Sequence, residues 1–104
     1  MIVRTWKAHT TSELEPKYLE QVRAVVIPHL QNFSGYKGAH FTKRNIDGGL
    51  EILVLTYWES RDALRAFAGA DEAQAYMPPE IAATLSSYDD TSDHYEVLID
   101  DGHV

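Results

Sequence analysis

The side chains able to do chemistry here are histidines, tyrosines and one arginine-bearing strand. His94 opens the alternating run His94-Tyr95-Glu96-Val97-Leu98-Ile99. An imidazole there can serve as a base or hydrogen-bond partner near neutral pH. It can equally be structural, paired with backbone or a nearby carboxylate. Strict alternation puts His40 on the same strand face as Tyr36, Gly38 and Arg44. A histidine with a tyrosine and an arginine could bind and deprotonate a phenol; a partly exposed polar face would carry the same residues. Tyr57 and Tyr95 offer phenol groups to a substrate carbonyl, or simply pack amphipathically. His9 and His29 fall near the ends of the first strand and first helix, where capping or surface roles suffice. No two histidines have the i, i+4 spacing of a helical metal site, and no metal is expected.

Several chemistries are missing. With no cysteine there is no disulfide, thiolate metal site or cysteine nucleophile. Gly48-Gly49 belongs to a hairpin rather than a phosphate loop. Neither a G-x-S-x-G elbow nor a dinucleotide fingerprint occurs. No resident cofactor is expected. Oxygen chemistry would take its electrons from the substrate, or from a small diffusible cofactor bound without a motif.

The elements that must position these residues can be read locally. Residues 2–9 alternate as a strand, with Ile2, Arg4, Trp6 and Ala8 on one face and Val3, Thr5, Lys7 and His9 on the other. A helix follows, begun either by a Ser12/Glu15 capping box or by Pro16 at its first helical position. Leu19, Val22 and Val26 recur at helical spacing, and Pro28 should end or kink the helix near Ile27. Residues 36–45 and 50–58 read as a hairpin around Asp47-Gly48-Gly49. Ser60 caps a second helix with inner residues Ala63, Leu64 and Phe67 and a terminating Gly69. Asp71 could cap a short helix through Tyr76, and Glu80 to Leu85 could form another turn or two. The run 94–99 makes the last strand.

The order β-α-β-β-α-β is the ferredoxin-like α+β arrangement, with helices on one face of a four-stranded antiparallel sheet. The run Leu50 to Trp58 is apolar on both faces. A single chain of 104 residues has nothing left to cover the second face. A second copy, related by two-fold symmetry, is the simplest cover, so a homodimer is expected.

Length and charge set the remaining bounds. One domain over 1–104 is expected, large enough to bury about two-thirds of its unfolded surface. Nine basic against sixteen acidic residues give a net charge of −7, which argues against nucleic acid and anionic membrane surfaces as partners. Six of the sixteen acids fall in the last sixteen residues and read as solvated loop and tail. No apolar run approaches the ~20 residues of a membrane helix, and Met1 to Trp6 lacks the layout of a signal peptide. A cytoplasmic location is the expectation.

The chain resembles the antibiotic biosynthesis monooxygenase family of dimeric α/β-barrel proteins. The resemblance is carried by Pro28 with Gly35-Tyr36-Lys37-Gly38-Ala39, by Thr56-Tyr57-Trp58-Glu59-Ser60 running into Ala63 and Phe67-Ala68-Gly69, and by His94-Tyr95-Glu96-Val97. It implies a substrate pocket lined by Trp58 and an activity among cofactor-independent oxygenases of phenols and quinols, haem-degrading oxygenases or related proteins. The haem-degrading branch has an axial histidine about where Phe67-Ala68 stand and an asparagine on the first strand. Residues 61–71 hold no histidine and the first strand no asparagine, so haem degradation is the less favoured branch. The expected function is cofactor-independent monooxygenation of a small aromatic phenol or quinol. Trp58, Tyr57, Tyr36, Arg44 and Tyr95 would bind the substrate, and His94 or His40 would be the base. The alternative is a non-catalytic dimeric protein, small-molecule-binding or stress-associated, with the same pocket.

Overall fold

The computed structural model describes residues 1–102. Strand β1 (Ile2–Thr10) lies inside the sheet and pairs along its whole length with β3 (Gly49–Trp58), from Ile2 opposite Trp58 to Thr10 opposite Leu50. Strand β2 (Tyr36–Ile46) forms the hairpin with β3, closed by Asp47 and Gly48 as expected. Two short strands share the other edge of β1. β4 (Ser87–Tyr88) pairs with Ala8 and His9, and β5 (Asp93–Glu96) with Ile2 to Thr5. All pairings are antiparallel, and the fold is ferredoxin-like α+β.

Even-numbered residues of β1 and β3 face the helices. Ala8 and Ile52 pack with Tyr18, Val22 and Ile81; Ile2 and Trp58 pack with Leu30 and Leu64. The helices are α1 (Glu15–Gln21), α2 (Ile27–Leu30), α3 (Arg61–Ala68) and α4 (Pro79–Ala82). The opposite face of β3, with Leu53, Leu55 and Tyr57, is only half-buried in the single chain.

The second helix starts and stops as its sequence predicts. The Ser60 hydroxyl accepts the Ala63 N–H at 3.1 Å, and the Gly69 N–H donates to the Arg65 carbonyl at 2.8 Å. The first helix differs from expectation twice. Ser12 and Glu15 form no capping box; the competing start at Pro16 is one residue late, since α1 begins at Glu15 with Pro16 second, while the Thr11 hydroxyl accepts the Leu14 N–H in the turn before it. Pro28 does not end the helix. Val22–Val26 widen into a π-helical turn, closed by the Ile27 N–H on the Val22 carbonyl, and α2 restarts with Pro28 in its first turn. Proline lacks the N–H that an unbroken α-helix would use there, and its ring would press on the carbonyl four residues back; a wider turn relieves both.

Three further expectations are corrected. Asp71 to Tyr76 is not a helix. Its backbone is spent on other partners: Gln74 bridges to Thr91, the Ala75 N–H donates to the Asp90 carbonyl, and the Ser92 N–H donates to the Ala73 carbonyl. The last strand is shorter, pairing only from Asp93 through Glu96, and Ser87–Tyr88 adds a short strand not expected from the sequence. After Val97 donates to the Met1 carbonyl, Leu98 and Ile99 stand 90% and 84% exposed. Finally, β2 does not alternate cleanly. Tyr36 faces Trp58 and Gly38 faces Tyr57, so Lys37 is an extra residue, a β-bulge. Gly38 has φ +135°, a conformation that residues with a Cβ rarely adopt. The bulge reverses the facing of every side chain beyond it.

Candidate active site between sheet and helices

The sheet supplies the floor of a slot. Alternation on β1 brings Arg4 and Trp6 under the helices, and their neighbours Val54, Thr56 and Phe41 complete this floor. Tyr18 and Val22 from the first helix, with Phe67, Tyr76 and Ile81, form the other wall. The space enclosed, mouth included, is about 550 Å³, of which only about 60 Å³ lies more than a water's radius from the walls. A space this narrow favours a thin ligand over a bulky one. Its lining is mostly apolar, with a few polar groups, as small-molecule sites generally are.

One cation stands in this apolar setting. Arg4 is 5% exposed, and its guanidinium lies 5.5 Å from the centre of the Phe67 ring. Its Nη1 donates to the Glu72 carbonyl and, at 2.9 Å, to Nε2 of His94; its Nη2 donates to the Gln74 carbonyl at 2.7 Å. Because a guanidinium only donates, Nε2 is the unprotonated nitrogen of His94. Burial, and then the charge of Arg4, holds the His94 imidazole below its ordinary pKa, so it is neutral at pH 7. Burial likewise lowers the pKa of Arg4 against the raising effect of Glu72. The Glu72 carboxylate itself turns outward to Arg61 at 2.8 Å and Arg65 at 3.2 Å. Desolvation pushes the Glu72 pKa up; the two arginines, through hydrogen bonds and charge, outweigh it and hold it low.

Trp58 is fully buried one layer behind the slot. Its ring stacks on Phe67 at 5.0 Å, also meets Phe33 and Tyr36, and its indole N–H donates to the Thr56 hydroxyl at 2.9 Å. Trp58 thus backs the slot through Phe67 and Thr56, which do line it.

The predicted trio of His40, Tyr36 and Arg44 is not assembled. Tyr36, before the bulge, lies on the helix side against Trp58, whereas His40 and Arg44, after it, lie on the open face. There Nδ1 of His40 sits 3.1 Å from the Tyr57 hydroxyl, and Arg44 pairs with Glu51 at 2.8 Å. Tyr95 is 56% exposed on β5. The expected site residues therefore divide between two faces: Trp58, Tyr36 and His94 on the helix side, and His40, Tyr57 and Arg44 on the other. Arg4 is the site residue the sequence reading missed. Its signal was present: it shares its strand face with Ile2, Trp6 and Ala8, where a cation is out of place.

Among the described residues, no group of three or more His, Asp or Glu is placed to hold a metal. Haem does not fit the residues present either. No histidine is among those lining the slot; Nε2 of His94 is occupied by Arg4, and His29 is stacked on Tyr76 at 4.7 Å. No helix of the described residues is long and apolar enough to cross a membrane.

The architecture is that of a ferredoxin-like protein with an aromatic slot beneath its helices. The family model for antibiotic biosynthesis monooxygenase matches residues 1–79, and the chain belongs to that family. The match stops short of β5, so the resemblance seen in His94 to Val97 lies outside it. Solved structures agree in fold. A Bacillus cereus protein given the same family description superposes with a TM-score of 0.66 at 16% identity, covering 98% of this chain and 97% of that one. A haem-degrading protein of Mycobacterium tuberculosis gives 0.58 at 25% identity, covering 98% and 100%. SnoaB, a cofactor-independent oxygenase from Streptomyces nogalater, gives 0.57 at 15%, covering 98% and 95%. No curated protein sequence matches the chain.

Proposed function

We propose that this chain is a cofactor-independent monooxygenase of a flat phenol or quinol, acting as a homodimer. The observation that carries the reading is the slot itself. Phe67, Phe41, Trp6 and Tyr76 enclose a thin apolar space with polar groups at Arg4, Thr56 and Ser92. Its lining has no histidine to ligate haem iron, in a family that includes oxygenases. In this reading the phenol lies against Arg4 and loses its proton to His94, which stands behind Arg4 and outside the slot lining, once their hydrogen bond opens; the electron-rich anion then passes an electron to O₂. The radicals recombine at a ring carbon. One oxygen atom converts a ring C–H to C=O, and the other leaves as water with the two displaced hydrogens. Exclusion of water and a preset charge environment are the contributions expected of the protein. Tyr36 and Trp58 support the slot from behind. His40, Tyr57, Arg44 and Tyr95 belong to the dimer side rather than to the substrate.

The test is O₂ uptake with a panel of hydroxynaphthalenes and anthrones, without added flavin or metal. Uptake that scales with protein supports the oxygenase. One observation favours the second reading, a non-catalytic binding protein. The lone pair of His94 Nε2 is already engaged by Arg4, so proton transfer requires that bond to open. A thermal shift with the same compounds but no uptake would decide for the binder.

A further inference from the structure

We propose that Arg4 makes the slot selective for anionic ligands, a flat ring system whose ionised oxygen, carboxylate or phenolate, sits on the guanidinium. This rests on the reading that the slot is the ligand site. A guanidinium has five N–H donors. Three are committed, to the Glu72 carbonyl, the Gln74 carbonyl and His94 Nε2. The Nε–H and one Nη2–H have no partner among the described residues. Two donors on adjacent nitrogens suit paired recognition of a carboxylate or a single phenolate oxygen.

The charge balance points the same way. Every acceptor on Arg4 is neutral, two carbonyls and an unprotonated imidazole. The carboxylate near it, Glu72, is taken by Arg61 and Arg65. A buried cation without a carboxylate partner costs free energy that a bound anion recovers. Arg4 also lines a neighbouring groove with Phe67, Gln74 and Tyr76, so its guanidinium edge stands between two accessible spaces. The ionisable groups around it are His94 and Asp93 on β5, Glu72 in the preceding loop, and Arg61 on α3.

Two probes on the full chain test this. Calorimetry at neutral pH compares 2-naphthoate with its neutral isostere 2-naphthamide. The acid is expected to bind at least about tenfold more tightly, the scale of one hydrogen bond to a charged group. Arg4→Gln is expected to erase the preference. Arg4 also holds the carbonyls of the 72–74 loop, so the variant can fail to fold; the second probe therefore uses the unaltered protein. The absorbance of 4-nitro-1-naphthol reports its ionisation, and the bound dye is expected to ionise at a lower pH than the free dye. A preference for naphthoate alone assigns a carboxylate, and a lowered dye pKa alone assigns a phenolate. Equal binding of acid and amide together with an unmoved or raised dye pKa, or no binding of any probe, overturns the proposal. Neither assay reads oxygen. A silent protein that prefers the acid sinks the oxygenase and leaves this inference standing; an oxygenase indifferent to charge does the reverse.

Discussion

Trp58 has no solvent exposure, and its indole N–H is committed to the Thr56 hydroxyl. Trp58→Phe should therefore still fold, losing about 1–3 kcal/mol for the gap and the lost hydrogen bond. Because the ring backs Phe67, ligand affinity should fall further than the thermal midpoint implies; the two are best measured on one preparation. His94 gives a pH prediction with a fixed sign. Its pKa is lowered in the folded chain, so below the ordinary histidine value the unfolded chain binds more protons. The stability that a neutral His94 contributes is complete above that value and is lost as pH falls from it through the folded one. Thermal midpoints followed from neutral to mildly acidic pH should drop more steeply for the native chain than for His94→Gln. His94 and Trp58 were legible as candidates because their residue types are distinctive. Arg4 was legible only as a cation out of place beside Ile2, Trp6 and Ala8; its role was not, since that depends on three partners 68 to 90 positions away.

Gly35, just before β2, lies directly against Ala63 of α3. A Cβ built there would lie 2.2 Å from the Ala63 Cβ, and the Gly35 carbonyl accepts the Glu59 N–H at 2.8 Å. Gly35→Ala should cost about 1–3 kcal/mol through overpacking. Adding Ala63→Gly should restore part of it, a coupling that denaturant titration of the four-protein cycle would measure. Both strands of the hairpin and the second helix were legible because local signals decide them: Asp47-Gly48, Ser60 and Gly69. The failures are tertiary. Long-range backbone pairing between residues 73–75 and 90–92 displaced the helix foreseen at Asp71, and the bulge in β2 has no strong local mark beyond Gly38 itself.

For the molecule as a whole, the proposed dimer follows from the open face, where Leu53, Leu55 and Tyr57 of β3 lie beside Val3 and Thr5 of β1. Light scattering at micromolar concentration should give about twice the 11.8 kDa chain mass. Leu55→Glu should shift the protein toward monomer while leaving the helix-side core intact. A native chain that stays monomeric would leave that apolar face exposed to water and remove the reason for pairing. The antiparallel sheet was readable from the order of elements. Which side of it holds the chemistry was not, because one inserted residue decides the facing of His40.

That inserted residue marks a place where the length of the strand can change without disturbing its pairing. Along β2 the bulge acts as a phase shift between two otherwise fixed patterns. Loss of the single codon for Lys37 would leave Gly38 alone opposite Tyr57, so the stretch beyond would keep its pairing, with Phe41 on the ligand side and His40 outward. The strand can thus gain or lose a residue there while the side chains that meet a ligand and those that meet a neighbour stay where they are.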